Sequence, residues 1–282
     1  MTITQEPSTP TSQEVAEFIE VTPAIAQRWL GLNTSNRKIK PANVTAFKRD
    51  MEEGRWRSNG EAIKLAGSFY KPTKLLDGQN RLHALMKSGQ TVRMLVVFGI
   101  DPRAQSTMDS GAKRTVADNL SIQGVFHTRI VAAAAALAMR ARIGRLGAGS
   151  SLFITNAEMQ EFISENPALY RSATVASQYA KRSDAPPSVV AYTHFEMSKI
   201  DLDDATAFWR DAAEKVGLTA NDPAHSIAQR FAQARRGKER VPAAVAIAAV
   251  YRAWNYRRAG RPLDHVKFRG NVDGSVTIPR LI

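Results

Sequence analysis

Residues 75–85 carry the side chains of this chain whose types and spacing best suit chemistry on a phosphate group. Two leucines lead into Asp77-Gly78-Gln79-Asn80-Arg81, and further apolar residues follow at helical spacing. This pattern predicts a strand, a tight turn at Gly78 and the start of a helix. The free amides at a helix start favour anions, and arginine presents a planar fork of donors to phosphate or carboxylate. We call Asp77–Arg81 the DGQNR turn; a β-turn with a solvated arginine is the other interpretation of the same residues.

Asp77 needs a separate role in such a phosphate site, because a carboxylate repels phosphate. It could hold a Mg²⁺ ion that bridges its carboxylate to phosphate oxygens. It could instead accept a proton from an attacking hydroxyl group. A carboxylate that only caps the turn is the third possibility, and the residues alone leave all three open.

The chain carries a large excess of positive charge, with 39 Lys and Arg against 26 Asp and Glu, a net charge of +13 and a pI near 10.2. Such an excess is typical of proteins that bind a polyanion, most often nucleic acid. Contacts to about six phosphates would lower DNA affinity about 10³-fold between roughly 50 and 200 mM salt. Trp56, between two arginines, suits either stacking on a base or a place in the core. Four basic clusters are candidate DNA contacts: Arg37, Lys38 and Lys40; Arg55 and Arg57; Arg235, Arg236, Lys238 and Arg240; and Arg257, Arg258 and Arg261.

The composition and motifs exclude several classes of protein. The chain contains no cysteine, which excludes disulfides, thiolate catalysis and cysteine-based zinc sites. The sequence shows no Ser-His-acid triad, no Walker A loop and no Rossmann fingerprint. It has no apolar signal core at its start and no stretch long and apolar enough to span a bilayer. We therefore expect a cytoplasmic protein of a bacterium or a phage-infected cell, without a membrane partner.

The elements that must position the DGQNR turn are mixed in type. Residues 1–12 are polar and are expected to be disordered. Apolar runs predict strands over 18–21, 62–65, 73–76 and 92–98. Helices are predicted from Pro23 with Thr22 as N-cap, over 41–53, and from the turn to Lys87. Together they predict a small α+β domain over residues 13–125.

The second half of the chain changes character. Alanine-rich and amphipathic segments, each opened by a capping residue or proline, predict six or seven helices between residues 128 and 258. Two short apolar runs, 266–268 and 276–278, could pair as a tail hairpin. Residues 126–282 are therefore predicted to form an all-helical domain.

The DGQNR turn resembles the DGQHR-type motif of the ParB/sulfiredoxin superfamily. That superfamily includes chromosome-partition CTPases, sulfiredoxin, a free-serine kinase and many phage proteins described as ParB-like nucleases. Asn36-Arg37, Gly54-Arg55-Trp56 and Gly60-Glu61-Ala62-Ile63 resemble the run before the motif in the phage branch, and residues 109–115 resemble the run after it. The resemblance covers roughly residues 18–120. Asn80 stands where the family has histidine, so this position lacks the proton or metal chemistry of that histidine.

The resemblance implies a ParB/sulfiredoxin-like domain that binds ATP or CTP with Mg²⁺. In the related CTPases and the serine kinase this region holds nucleotide phosphates. A glutamate on the early strand can act as general base in the kinase branch, so Glu61 or Asp77 would be the base, with Asp77 the metal ligand. The sulfiredoxin reaction itself is excluded, because it needs a cysteine. The expected nucleotide-binding residues are Gly78, Gln79, Asn80, Arg81, Lys113 and Arg114.

These observations together predict a nucleotide-dependent, DNA-acting protein of phage type. It would hydrolyse the nucleotide or transfer a phosphoryl group to DNA, for example to a hydroxymethylated base. One alternative is a non-catalytic ParB-like DNA-binding module. The other is a metal-dependent nuclease, which normally gathers several carboxylates, here only Glu61, Asp77 and Asp109. The sequence leaves open whether the helical half reads DNA or forms a homodimer. The expected DNA contacts are Arg37, Lys38, Arg55, Arg57, Arg235, Arg236, Arg257 and Arg258.

Overall fold

A computed structural model describes residues 13–34, 36, 38–108, 115–146, 153–271 and 275–282. The predicted tail 1–12 and the predicted ligand contacts Arg37, Lys113 and Arg114 lie outside the described residues, as does Asp109. The chain divides into two compact units. Unit 1 comprises the described residues of Met1–Lys113 together with Phe153–Glu158, and unit 2 comprises those of Arg114–Leu152 and Met159–Ile282.

Unit 1 is built on a mixed sheet. Among the described residues the sheet has four strands in the order β1-β4-β2-β3. The β1–β4 and β2–β3 pairs are antiparallel, whereas β2 and β4 are parallel. The elements of this unit, in chain order, are β1 (Val15–Val21), α1 (Pro23–Leu30), α2 (Pro41–Glu52), β2 (Ile63–Gly67), β3 (Pro72–Asp77), α3 (Gln79–Ser88), β4 (Val92–Phe98) and a 3₁₀ helix (Pro102–Thr107).

The local sequence explains these elements. Thr22 caps α1, and its side-chain oxygen accepts a hydrogen bond from the Ile25 amide at 3.3 Å. Met94, Val96 and Phe98 of β4 are buried at alternate positions, as a strand with one core face requires. These side chains join apolar residues of α1, α2 and α3 in one core. The sheet and three helices therefore form the packed structure that positions the DGQNR turn.

Unit 2 is helical. Its core is formed by the apolar faces of its helices, with Trp209 and Trp254 fully buried. The helices, in chain order, are α4 (Val116–Ile122), α5 (Thr128–Arg142), α6 (Asn156–Glu165), whose first turn belongs to unit 1, α7 (Ala168–Tyr179), α8 (Pro187–Met197), α9 (Leu202–Glu214), α10 (Pro223–Arg236) and α11 (Ala243–Arg258).

Two features differ from the sequence analysis. The predicted tail hairpin is wrong. Residues 261–271 and 275–282 contain no strand, because Val266, Phe268 and Ile278 pack against the helical core instead of pairing as strands. The compact units divide between residues 113 and 114, whereas the sequence analysis places the domain boundary after residue 125. The reason is that Val116 and Leu120 of α4 are buried in the helical core.

The predicted fold class is confirmed: a mixed α+β region with a four-stranded sheet precedes an all-helical region. Among the described residues, no helix combines the length and apolar character needed to cross a membrane.

Candidate functional site

The DGQNR turn joins β3 directly to α3. Strand β3 ends at Asp77, Gly78 adopts a left-handed conformation with φ of 102°, and α3 begins at Gln79. A Cβ atom on Gly78 would lie only 2.4 Å from Cδ1 of Ile63 on the neighbouring strand β2. Glycine is therefore required here both for its backbone angle and for the close approach of Ile63.

Arg81 turns back into the protein. Its guanidinium donates hydrogen bonds to the backbone carbonyl of Glu61 and, at 2.8 Å, to that of Ala62, and the residue is 9% exposed. These carbonyls belong to the segment that leads into β2. The donor fork that the sequence predicts for a phosphate is therefore occupied by the chain itself, and Arg81 ties α3 to the start of β2.

Asp77 is held among cations. Its Oδ1 accepts a hydrogen bond from the Gly78 amide at 2.7 Å, while its Oδ2 lies 3.6 Å from Nζ of Lys64 and 3.7 Å from NH2 of Arg81. The carboxylate thus caps the turn, which is one of the three roles expected from the sequence. Glu61, the other candidate base, has an exposed side chain.

These surroundings do not fit a Mg²⁺ ion held by Asp77. The ion would need to approach a single carboxylate already flanked by two cations, whereas Mg²⁺ sites present oxygen ligands. In the described part of the chain, no three Asp, Glu or His side chains gather closely enough to hold a metal ion. Magnesium at Asp77 stays a prediction that this donor set does not favour.

A network of side-chain amides surrounds the turn. Gln79, which is 5% exposed, accepts a hydrogen bond from Asn33 at 3.1 Å. Asn36 in turn donates to Asn33 at 2.8 Å and to the carbonyl of Leu75 on β3 at 2.8 Å. Gln79 is therefore part of the internal structure of the loop after α1, in addition to its predicted role toward a nucleotide.

Gln105 extends this network to the 3₁₀ helix. Its amide donates to Oδ1 of Asn36 at 3.0 Å and to the carbonyl of Leu76 at 3.1 Å. Neither Asn33 nor Gln105 could be identified from the sequence, because single polar residues in loops carry no periodic signal. Their contacts with the residues around the DGQNR turn form only when β3 and α3 are folded.

Asn80 anchors a basic loop at the start of α3. Its Oδ1 accepts a hydrogen bond from the Lys40 amide at 3.1 Å. Lys38 and Lys40 are exposed in this loop, and Lys64 lies beside Asp77. The N-terminal end of a ten-residue helix and three lysines therefore share this side of unit 1, an arrangement that favours anions.

Arg55, a predicted DNA contact, belongs to an ion-pair cluster in unit 1. Its guanidinium pairs with Glu53, with Asp50 at 3.2 Å and with Glu158 at 3.6 Å, and Arg49 pairs with Glu158 at 2.8 Å. Burial raises the pKa of Asp50. Burial also acts to raise the pKa of Glu158, but hydrogen bonds from Arg49 and the Thr155 amide leave it lowered. The charge of Arg55 is therefore balanced within the protein.

The neighbours of Arg55 have different environments. Trp56 is partly buried and packs edge-on against Phe47, with ring centroids 5.9 Å apart, at the margin of the unit 1 core. Arg57 is exposed and donates to the carbonyls of Gly54 at 2.6 Å and Trp56 at 3.1 Å.

Arg257 and Arg258 tie α11 to α9 in unit 2. Arg257 pairs with Asp204 at 3.2 Å and Asp211 at 2.9 Å, and Arg258 pairs with Asp201 at 3.1 Å and Asp204 at 3.3 Å. To bind a DNA phosphate, either arginine would have to leave a carboxylate partner. Their charges are thus balanced locally, which the sequence could not show.

The basic residues at the end of α10 are exposed. Arg235 pairs with Asp184 at 2.8 Å, and this contact places the end of α10 beside the loop between α7 and α8. Lys181 and Arg182 lie in that loop, and both are exposed. We call the combined surface the α10 ridge; it consists of Lys181, Arg182, Arg235, Arg236, Lys238 and Arg240.

The predicted site residues thus fall into separate groups. The structure brings together Asp77, Gly78, Gln79, Asn80 and Arg81 with Lys38 and Lys40 in unit 1, and Arg235 and Arg236 in unit 2. Comparisons with protein-family models, with curated proteins and with solved structures find no match to this chain.

Proposed function

We propose that this chain is a DNA-binding protein that contacts the sugar-phosphate backbone through the α10 ridge. The observation that carries the proposal is the state of Arg236, Lys238 and Arg240. All three are exposed, and none makes an ion pair with another residue in the described part of the chain. Exposed, unpaired cations are the groups that bind DNA phosphates most readily, because they release counterions without first breaking a protein contact.

The distribution of charge supports this choice of surface. Unit 2 contains 23 Lys and Arg against 14 Asp and Glu, so it carries most of the net charge. Two of the six ridge cations are balanced by acids, Arg235 by Asp184 and Arg182 by Glu214 at 3.8 Å, whereas Glu239 pairs with Arg230 outside the ridge at 2.6 Å. The ridge therefore retains an excess of positive charge.

The proposal is tested by fluorescence anisotropy with a labelled 20-base-pair duplex at fixed salt. The variant Arg236→Gln/Arg240→Gln removes two unpaired ridge charges. The matched control Lys87→Gln/Arg252→Gln removes the same charge from exposed helical positions outside the ridge. We expect the ridge variant to lose about tenfold or more in affinity and the control much less, since each lost phosphate contact weakens binding. Equal losses in the two variants would show that the ridge has no special role.

A nucleotide-dependent enzyme is the second candidate, and one observation favours it. Asn80 holds the loop containing Lys38 and Lys40 against the start of α3, which leaves lysines and helix amides to receive a phosphate group. The resemblance to the ParB/sulfiredoxin superfamily points to the same turn. Turnover there would use the lysines for phosphate, because Arg81 is occupied by carbonyls.

This second candidate is tested with γ-labelled ATP and CTP in the presence of Mg²⁺, with and without duplex DNA that carries hydroxymethylated bases. Label transferred to DNA would identify a DNA kinase, and label in free phosphate would identify a nucleotide hydrolase. Loss of either activity in Lys38→Gln/Lys40→Gln, but not in Lys87→Gln/Arg252→Gln, would assign it to the DGQNR turn. If all label remains in the nucleotide while DNA is bound, the enzyme proposal is wrong and the binding module remains.

A further inference from the structure

Unit 2 contains a cavity between α7 and α9 that the DNA-binding proposal does not use. The cavity is open to solvent, and its volume is about 480 Å³, enough space for a small ligand. Val175, Leu202 and Ala207 give it apolar walls. Arg171 and Arg210 also line it, so two guanidinium groups flank an apolar space.

Two contacts show that α7 and α9 run in the same direction beside the cavity. Ser172 and Thr206 are bridged by the imidazole of His194, and Arg182, just after α7, pairs with Glu214 at the end of α9 at 3.8 Å. Arg171 is therefore level with about residue 205 of α9, and Arg210 lies about five residues, or roughly 7.5 Å, further along the axis. Two extended arginine side chains can meet at one anion across that distance.

Both arginines retain donors. Arg171 is exposed and makes no hydrogen bond or ion pair with another described residue. Arg210 contacts Asp211 through Nε and NH2 at 3.2 Å, and its NH1 group makes no hydrogen bond within the described structure. Asp211 is shared with Arg257, so the Arg210 charge is only partly balanced.

Thr206 lines the cavity, and its hydroxyl is hydrogen-bonded to a buried histidine. His194 is fully buried, and its Nδ1 lies 2.9 Å from the Ser172 hydroxyl while its Nε2 lies 3.1 Å from the Thr206 hydroxyl. Burial, with the charge of Arg171, lowers the pKa of His194 to about 4, so the ring is neutral at pH 7. Thr206 then uses its one proton within the protein, toward His194 or toward the Leu202 carbonyl at 2.8 Å. Its hydroxyl group therefore has no proton left to donate to a ligand.

The cavity thus offers arginine donors, apolar walls and, as an acceptor, the exposed carboxylate of Asp203. We propose that it binds a phosphate monoester of a nucleoside, with the phosphate between Arg171 and Arg210 and a hydrogen-bond donor of the nucleoside on Asp203. Arginine matches phosphate geometry, and a nucleoside supplies both an apolar ring face and donor groups. A free mononucleotide and the 5′-phosphorylated end of a DNA strand present this same chemistry.

The test is calorimetric titration of the full chain with AMP, adenosine, inorganic phosphate, and a tetranucleotide with or without a 5′-phosphate. We expect AMP to bind at least tenfold more tightly than adenosine or phosphate alone. Arg171→Gln/Arg210→Gln should weaken AMP binding at least tenfold, whereas Arg252→Gln, an exposed arginine on α11, should leave it unchanged. Circular dichroism of each variant checks that the helical unit is folded.

The outcomes distinguish the two sources of the ligand, and they also test the proposal itself. Tighter arginine-dependent binding of the 5′-phosphorylated tetranucleotide than of AMP would identify a strand end as the ligand, and the reverse order would identify a free mononucleotide. AMP binding no tighter than that of its two parts, or binding that persists in Arg171→Gln/Arg210→Gln, would overturn the proposal. Duplex affinity of the same variant tests the α10 ridge separately, because neither arginine belongs to it.

Discussion

Substituting Gly78 by alanine tests how the DGQNR turn is built. Alanine at a φ of 102° pays about 1–2 kcal/mol for the left-handed conformation. Its Cβ would also lie 2.4 Å from Cδ1 of Ile63, and Ile63 is fully buried. Overpacking of this kind costs about 1–3 kcal/mol. We therefore expect Gly78→Ala to lower the free energy of unfolding of unit 1 by about 2–5 kcal/mol.

Gly89 provides a matched control at the other end of α3. It also has a left-handed backbone, with φ of 68°, but a Cβ atom there would meet nothing within 4 Å. Gly89→Ala should therefore cost only the backbone strain of about 1–2 kcal/mol. Urea unfolding followed by tryptophan fluorescence, to which the buried Trp29 of unit 1 contributes, measures both variants.

Shortening Ile63 to valine removes the atom that the new Cβ would strike. Ile63→Val alone should cost about 1 kcal/mol. In the double variant Gly78→Ala/Ile63→Val, the two losses should be less than additive by about 1 kcal/mol, since the steric conflict is partly relieved. If Gly78→Ala costs no more than Gly89→Ala, or if the double variant shows simple additivity, the close packing of the turn on β2 is not what selects glycine at this position.

Three further predictions concern side chains whose roles the structure defines. Arg81→Lys should cost about 1–3 kcal/mol in urea unfolding, because lysine cannot donate to the carbonyls of Glu61 and Ala62 in the same fork geometry; an unchanged midpoint would contradict this. His194 has a pKa lowered to about 4 by burial and Arg171, so its contribution to stability is full above pH 6.5 and is lost as the pH falls toward 4. The wild type should therefore lose up to about 3 kcal/mol more than His194→Gln over that interval, and parallel pH profiles of the two proteins would refute it. Arg257→Gln should lower the free energy of unfolding by about 1 kcal/mol, because Arg257 has two carboxylate partners. It should leave DNA affinity within about twofold; a larger loss of affinity would show that Arg257 contacts DNA.

The order of strands, turns and helices around the DGQNR turn could be predicted, because each element is indicated by residues that are neighbours in the sequence. Thr22 and Pro23 mark the start of α1, and β4 follows from the apolar run at 92–98. The Asp-Gly dipeptide marks the turn before α3. Each of these signals depends on neighbouring residues only, so the fold class followed from them.

The side-chain partners could not be predicted in the same way. Arg81 contacts carbonyls about 20 residues earlier in the chain, and Arg257 meets carboxylates about 50 residues earlier. A run of arginines has the same appearance in the sequence whether its charges are paired or free. The tail hairpin failed for a related reason, because apolar side chains that could pair as strands gain more by covering the helical core.

The salt dependence of DNA binding is the most direct test of the proposed function. With four phosphate contacts from the ridge cations that are unpaired in the described structure, Lys181, Arg236, Lys238 and Arg240, log K should fall with log salt concentration with a slope of about −3.5 for the wild type. Removing two of these contacts in Arg236→Gln/Arg240→Gln should reduce that slope to about −2. Identical slopes for the two proteins, or binding that does not respond to salt, would contradict the account of the α10 ridge as the DNA-binding surface.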